Sequence, residues 1–443
     1  MRALVLLLFL VLAPAPAARA QRAYDFARAD RVVIDSLARL GGGAEVIVVE
    51  GTRVVHRRSV GAWDSTRAVP IASASKWLAG AVVMSLVDDG LLSLDDPVSA
   101  YLPAITGARG TITVRQLFSH TSGLAGAEPP CLRDRNVPLA ACAAEIAATV
   151  PLVAAPGTRF IYGGTSMQLG GRIAEIAGGA PWDSLFARRI ARPLGMRRTA
   201  FEPPGSAAEN PMVGGGAWST ADDYARFVTM LLGRGVYNGR RVLSDAAVAA
   251  LVADQTGGAR ILYTPYQQYA ALAPGLPATR YGIGNWRERV GGQIGGTSGG
   301  LHASSSQGAF GWSPWVDWAR GTAGVLAVLG DLPDVMPTYL AWRDRLDDAL
   351  GTPTGAAPVA TPADRAGRRL DAWPVPARTT VTFHFDASAR AERLTLYDLR
   401  DRVAARADVP AGVASTTVPV ADLVPGVYVA RIGAAVRLVT VAR

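Results

Sequence analysis

Ser73 and Lys76 stand three residues apart in Ile71-Ala72-Ser73-Ala74-Ser75-Lys76-Trp77-Leu78 and have the chemistry of a nucleophile and its base. Lys76 is the only lysine in the chain; the other 44 of its 45 Lys and Arg residues are arginines. A surface charge is carried equally well by either type, so an Arg-biased sequence can lose its lysines with little penalty. Lysine is irreplaceable where an amine must give up its proton, because a guanidinium stays charged under all ordinary conditions. Positions three apart share one face of a helix, so Ser73 Oγ and Lys76 Nζ can converge. Ser73 falls in the first turn, where the helix dipole favours a serine alkoxide and disfavours a buried ammonium. Its backbone N–H has no intrahelical partner there and is free to supply half of an oxyanion hole.

The elements that must position this pair follow from the apolar pattern. Ala44 to Glu50 and Arg53 to Val60 are β-rich runs joined by Gly51-Thr52, a hairpin signature. Helical spacing of apolar residues predicts a helix over Ser73 to Asp89, stopped by Gly90. Further helices are expected at Val114–Phe118, Ser166–Ala177, Trp182–Ile190, Ala221–Leu232 and Asp245–Ala253. Strands return at Tyr281–Trp286, Gly308–Val316 and Thr322–Gly330, before a last helix over Met336–Leu350. Strands at both ends with helices between them imply that the ends meet in one sheet, beside a helical lobe. The stretch 351–377 is rich in Pro, Ala and Gly without apolar period and reads as a linker. Beyond it, 378–443 alternates polar and apolar residues in short runs, the pattern of a small β-sandwich.

A chain of 443 residues with 49% hydrophobic and 18% charged side chains is a globular protein of two or three domains. Its net charge of +9 is spread over separate arginines, with no zinc finger, RNA-binding signature or basic-region helix, so nucleic acid is a poor partner. Residues 1–20 pair one early charge with a short apolar run and Ala18-Arg19-Ala20, the form of a cleaved export signal. No segment offers about 18 uninterrupted apolar residues, so no stable membrane span is expected. Cys131 and Cys142 can close a disulfide in an exported protein, or remain as two free buried thiols.

Several stretches together resemble the serine β-lactamase and penicillin-binding-protein superfamily, closest to its class C and esterase branch. They are Ser73-Ala74-Ser75-Lys76, the run Leu86 to Val98, Val114 to Leu124 with its Ser119-His120-Thr121-Ser122-Gly123-Leu124, Pro156 to Tyr162, Arg192-Pro193-Leu194-Gly195-Met196, and Gly215 to Asp223. The similarity covers about residues 24 to 350. It implies an α/β, β-lactamase/transpeptidase-like two-lobed fold, an antiparallel sheet flanked by helices plus a helical lobe, over residues 21–350. It implies Ser73, Lys76 and Tyr162 as catalytic residues, with the phenol of Tyr162 lowered in pKa beside a lysine ammonium and acting as a base. The second motif, Y-x-N, is Tyr162-Gly163-Gly164, so Gly164 stands in place of an asparagine that holds a substrate amide. Anchored on Phe310-Gly311, the third motif falls on Ala303-Ser304-Ser305 with His302 before it, which makes Ser304, Ser305 and His302 candidates for substrate binding. His120 is expected to serve as a structural hydrogen-bonder, and His56 and His384 lie in strands away from the site.

Leu396 to Val403, Leu423 to Arg431 with Pro425-Gly426-Val427-Tyr428, and the terminal strand resemble a type IX secretion sorting domain. That resemblance implies the type IX secretion machinery as a partner and the cell surface or medium as the destination. The expected protein is thus an exported serine hydrolase that forms an acyl-enzyme on Ser73, acting on esters or small peptides without metal or cofactor. A β-lactamase or D-alanyl-peptide hydrolase, and a catalytically silent surface protein on the same fold, are the alternatives.

Overall fold

Gly51, at φ +58°, lets the chain turn between strands β1 (Gly43–Glu50) and β2 (Arg53–Gly61), which pair antiparallel as their alternation predicts. The structure is a computed structural model. It describes residues 24–350 apart from 127, 207–208, 274–277, 279 and 289–302, and residues 370–442 apart from 374–376, 386, 389, 399–402 and 433–434. The two amino-terminal strands meet four from the far end of the domain: β3 (Trp286–Glu288), β4 (Ala303–Ser305), β5 (Ser313–Asp317) and β6 (Thr322–Val328). The six form one antiparallel sheet in the order β2-β1-β6-β5-β4-β3.

Side chains of β1 alternate between two cores. Val46 and Val48 face helices α1 (Ala27–Asp35) and α5 (Leu332–Leu350), meeting Val33, Val335, Tyr339 and Trp342. Ile47 and Val49 face the other side, with Trp77 and Leu78 of α2 (Ser75–Asp88) and Phe227 and Val228 of α4 (Ala221–Leu232). Each such side chain removed from water contributes about 1.5–3 kcal/mol, and β1 makes that contribution on both faces. Helix α2 is buried from Ser75 to Leu86, as its near-continuous apolar sequence requires. The helical lobe, with α3 (Thr165–Gly178) beside α2, fills the same core through Met167, Leu169 and Ile173. This is the two-lobed α/β fold expected from the sequence.

Three local expectations are corrected. Tyr281–Trp286 is not a strand: only an isolated bridge joins its ends, and pairing begins at Trp286. Gly308–Val316 begins as a turn, closed by Gly311 N–H donating to Gly308 O at 2.9 Å with Gly311 at φ +84°, and the strand starts only at Ser313. The last helix starts one turn earlier than Met336, at Leu332, with Pro337 inside it. Cys131 and Cys142 are bridged, their Cα atoms 5.3 Å apart. Among the described residues no helix is long and apolar enough to cross a membrane.

The chain divides into two compact units, Met1–Thr354 and Gly355–Arg443. The second holds two antiparallel sheets. One is built from β7 (Leu370–Trp373), β8 (Thr380–Phe385) and β11 (Ser415–Pro419), in the order β7-β8-β11. The other uses β9 (Glu392–Tyr397), β10 (Val403–Val409), β12 (Gly426–Ile432) and β13 (Ala435–Val441), in the order β10-β9-β12-β13. Val381, Phe383, Leu394, Leu396, Val418 and Ile432 form its own core. The linker reading of 351–377 is too long at its end, because Leu370–Trp373 pairs with Phe385 to Thr382 as a strand. Its four residues are too short a run to show a period beside the surrounding Ala and Pro.

Candidate active site

The nucleophile turn is pinned before the helix begins. Val69-Pro70 pairs with Trp218-Ser219, and Ile71 N–H donates to Ala217 O at 2.9 Å. A 3₁₀ turn over Ala72–Ala74 then leads into α2, so the helix expected from Ser73 is α-helical only from Ser75. Ala72 sits at φ +45°, a left-handed conformation that a residue with a Cβ adopts at a penalty of about 1–2 kcal/mol. Such strain persists only where neighbouring bonds over-determine the backbone. Here Ser75 Oγ donates to Ala72 O at 2.6 Å and accepts from Ala217 N–H at 2.9 Å. Tyr224 OH donates to Ala74 O at 2.7 Å. Gly284, at φ +80°, passes so close that a Cβ there would lie 2.0 Å from Lys76 O.

Lys76 Nζ lies 3.1 Å from Ser73 Oγ and donates to Gly214 O at 2.6 Å. The side chain is only 3% exposed, and burial pulls its pKa down to about 7, against a smaller opposing effect of the Glu128 carboxylate. In the neutral amine one N–H serves Gly214 and the lone pair is left for the Ser73 proton. That arrangement can generate a serine alkoxide near neutral pH.

Tyr162 follows the short strand Arg159–Ile161 and stands beside the pair, close enough for the Ser73 hydroxyl to act on its phenol. Lys76 Nζ stands 4.8 Å from its ring centroid, and the ring stacks on Trp286 at 5.0 Å and meets His120 at 4.6 Å. The expected fall in the phenol's pKa is corrected. Desolvation among these rings raises it well above its ordinary value, outweighing the opposing effect of the Ser73 hydroxyl. With a pKa near 7 the lysine is only partly charged at neutral pH and does not offset this desolvation, so the phenol stays protonated in the resting site. His120 is corrected too. It is buried at φ +59°, and neither ring nitrogen finds a hydrogen-bond partner among the described residues. It packs against Tyr162, Tyr281 and Phe160, and burial keeps it neutral, aided by the Lys76 charge.

Gly164 is brought to the pair, its Cα 3.3 Å from where a Cβ on Gly214 would stand; that same Cβ would be 3.4 Å from Lys76 Nζ. Ser304 and Ser305 are buried in β4. Ser305 Oγ donates to Gln307 Oε1 at 3.2 Å, inside a network in which Tyr266 OH also donates to Gln307 and Gln307 Nε2 donates to Glu288 at 3.4 Å. The hydroxyl placed on the nucleophile turn is instead that of Ser306, which donates to Ser73 O at 3.2 Å and to Gly284 O at 3.4 Å. Ser306 directly follows strand β4, and no spacing in the sequence marks it out. His302 lies outside the described residues. His56 is indeed remote, paired with Asp30 at 2.7 Å.

Comparison with known proteins agrees with this geometry. Residues 30–348 match the Beta-lactamase family. Protein Rv1367c of Mycobacterium tuberculosis is 32% identical over 282 residues, 49% of this chain and 69% of that protein. The D-alanyl-D-alanine-carboxypeptidase/endopeptidase AmpH of Escherichia coli is 29% identical over 231 residues, 44% of this chain and 58% of its own length. The crystal structure of a candidate beta-lactamase from Bacteroides dorei superposes with a TM-score of 0.64 at 31% identity, over 74% of this chain and all (100%) of the other. The chain belongs to the beta-lactamase family and is a serine hydrolase of the β-lactamase-related type.

Proposed function

We propose that the protein is an exported serine hydrolase in which Ser73 is acylated by an ester or a small peptide or amide and water then releases the acyl group. The observation that carries this reading is the buried Lys76 amine, 3.1 Å from Ser73 Oγ with a pKa near 7. Lys76 takes the Ser73 proton during attack, and the protonated phenol of Tyr162, beside Ser73, hands a proton towards the leaving group. The Ser73 backbone N–H supplies one oxyanion donor. Ester and small-peptide substrates are favoured over β-lactams because Gly164 lacks the amide of the usual asparagine and no lysine besides Lys76 exists to hold a substrate carboxylate. The relation to AmpH favours a second reading, hydrolysis of D-alanyl peptides. A panel of acyl esters, cephalosporins and D-amino-acid peptides on the purified protein decides between them. Faster turnover of esters supports the first reading, and β-lactam or D-alanyl-peptide turnover at higher kcat/KM overturns it.

The form of residues 1–20 supports export, and Pro425-Gly426-Val427-Tyr428 within the carboxy-terminal unit supports its reading as a sorting module for the type IX machinery. That unit has its own core, and so does the hydrolase unit. Removing residues 355–443, β7 included, is therefore expected to leave a folded, active hydrolase that stays in the periplasm of the native host. Cell fractionation with an activity assay checks this; unchanged delivery to the surface or medium removes the sorting role.

A further inference from the structure

Gly164 stands beside the reactive lysine, and the place a side chain there would take is occupied from other loops, in part by a carboxylate. A Cβ on Gly164 would lie 3.3 Å from Leu132 Cδ2, 3.8 Å from Glu128 Oε1 and 3.9 Å from Met212 Cε. Arg133 holds Glu128 by one oxygen only, with Nη2 at 2.8 Å and Nε at 3.3 Å from Oε2, and this turns Oε1 towards the glycine. The loop that carries Glu128, Leu132 and Arg133 is tied down at Cys131 and Asp134. The Cys131–Cys142 disulfide ties it to the helix Leu139–Thr149. Asn210 Nδ2 donates to Cys131 O at 2.6 Å and to Asp134 O at 2.9 Å, and Gln168 of α3 donates to Asn210 Oδ1 at 2.7 Å. Gln168 also accepts from Val213 N–H at 3.0 Å, one residue before Gly214, whose carbonyl holds Lys76. Lys76, Gly214, Gly164 and Glu128 thus form a row across the mouth of the site.

We propose that Glu128 is a specificity-determining residue of the Ser73 hydrolase, its Oε1 receiving an ammonium group carried next to the scissile carbonyl, as in amino-acid esters and short peptides with a free α-amine. The inference rests on the reading of Ser73 as the nucleophile. A carboxylate accepts two or three charge-assisted hydrogen bonds, and Arg133 supplies them to Oε2 alone, so Oε1 remains a strong acceptor beside Gly164. An uncharged asparagine at position 164 would offer a substrate both donor and acceptor; Glu128 offers only an acceptor and a negative charge. A substrate carboxylate brought to the same place meets repulsion, while an ammonium there is attracted. The field of Glu128 reaches the reacting centre even in the resting enzyme, since it opposes the effect of burial on Lys76.

The test uses the full chain and two matched substrates, alanine thiobenzyl ester and its N-acetyl derivative, in both the D and L series at pH 7. The wild-type enzyme is expected to prefer the free amine by at least tenfold in kcat/KM, and Glu128→Gln to lower that ratio at least tenfold. Glu128→Asp, which keeps the charge but shortens the side chain, is expected to retain part of the preference. Melting temperature and labelling of Ser73 by a fluorophosphonate show that each variant is folded. A wild type that favours the N-acetyl ester, or an equal ratio in wild type and Glu128→Gln with Ser73 labelled in both, overturns the role of Glu128 alone. Absence of a Ser73 adduct in the wild type overturns the nucleophile, and this proposal with it.

Discussion

Ser73→Ala is expected to reduce hydrolysis of every substrate by at least about four orders of magnitude, the loss typical of removing a covalent nucleophile. The remaining site keeps its base, its oxyanion donor and its binding groups, but none of these forms the acyl-enzyme. The substitution should leave the fold intact. Ser73 is half-buried, its hydroxyl bonds Lys76, and the turn is held by Ser75, Ser306 and Tyr224 through other atoms. Steady-state rates with the best ester from the substrate panel, beside an unchanged melting temperature, check the prediction. A loss of less than tenfold would mean that another residue attacks the carbonyl.

Lys76→Arg is expected to lower kcat by at least about two orders of magnitude, the range of general-base catalysis. The substitution retains a cation but removes the lone pair, since a guanidinium does not deprotonate in a protein. Space is also short. A single added carbon at Gly214 would already stand 3.4 Å from Nζ, and Gly284 closes on Lys76 O from the other side. Near-normal kcat in this variant would show that the only lysine of the chain is not its base. The same reasoning explains why this position alone carries a lysine: it asks for an amine that can lose its proton near pH 7.

The pair and its helix were legible because their signal is local. Three residues of spacing place Ser73 and Lys76 on one helical face, and an apolar sequence without a polar stripe buries that helix. The hairpin and helix α4 were equally legible, because a Gly turn and clean helical spacing mark their ends. Groups that arrive from a distance were not. Gly214 is 138 residues from Lys76 and gives only a backbone carbonyl, which leaves no trace in side-chain patterns. Ser306 was missed because it directly follows strand β4 and no spacing in the sequence marks it out. Glu128 was passed over because one acidic residue in a loop is ordinary until its place beside Gly164 is seen. The direction of the Tyr162 shift was misread for a similar reason. The sequence shows a tyrosine near a lysine, but only the packing of Trp286 and His120 reveals that desolvation dominates.

The central claim is that a buried, neutral Lys76 activates Ser73, and the pH dependence of covalent labelling at Ser73 tests it most directly. The depressed pKa of Lys76 makes the base competent once pH exceeds about 7, so the sign is a rate that rises with pH and then levels. The measurement is the second-order rate of phosphonylation by a fluorophosphonate, followed by mass spectrometry of the Ser73 peptide across the pH range. The account predicts a single adduct on Ser73 whose rate of formation follows one ionisation with a midpoint about 7. An adduct on another residue, or a rate that climbs without levelling towards about pH 10 as an ordinary lysine would require, contradicts it.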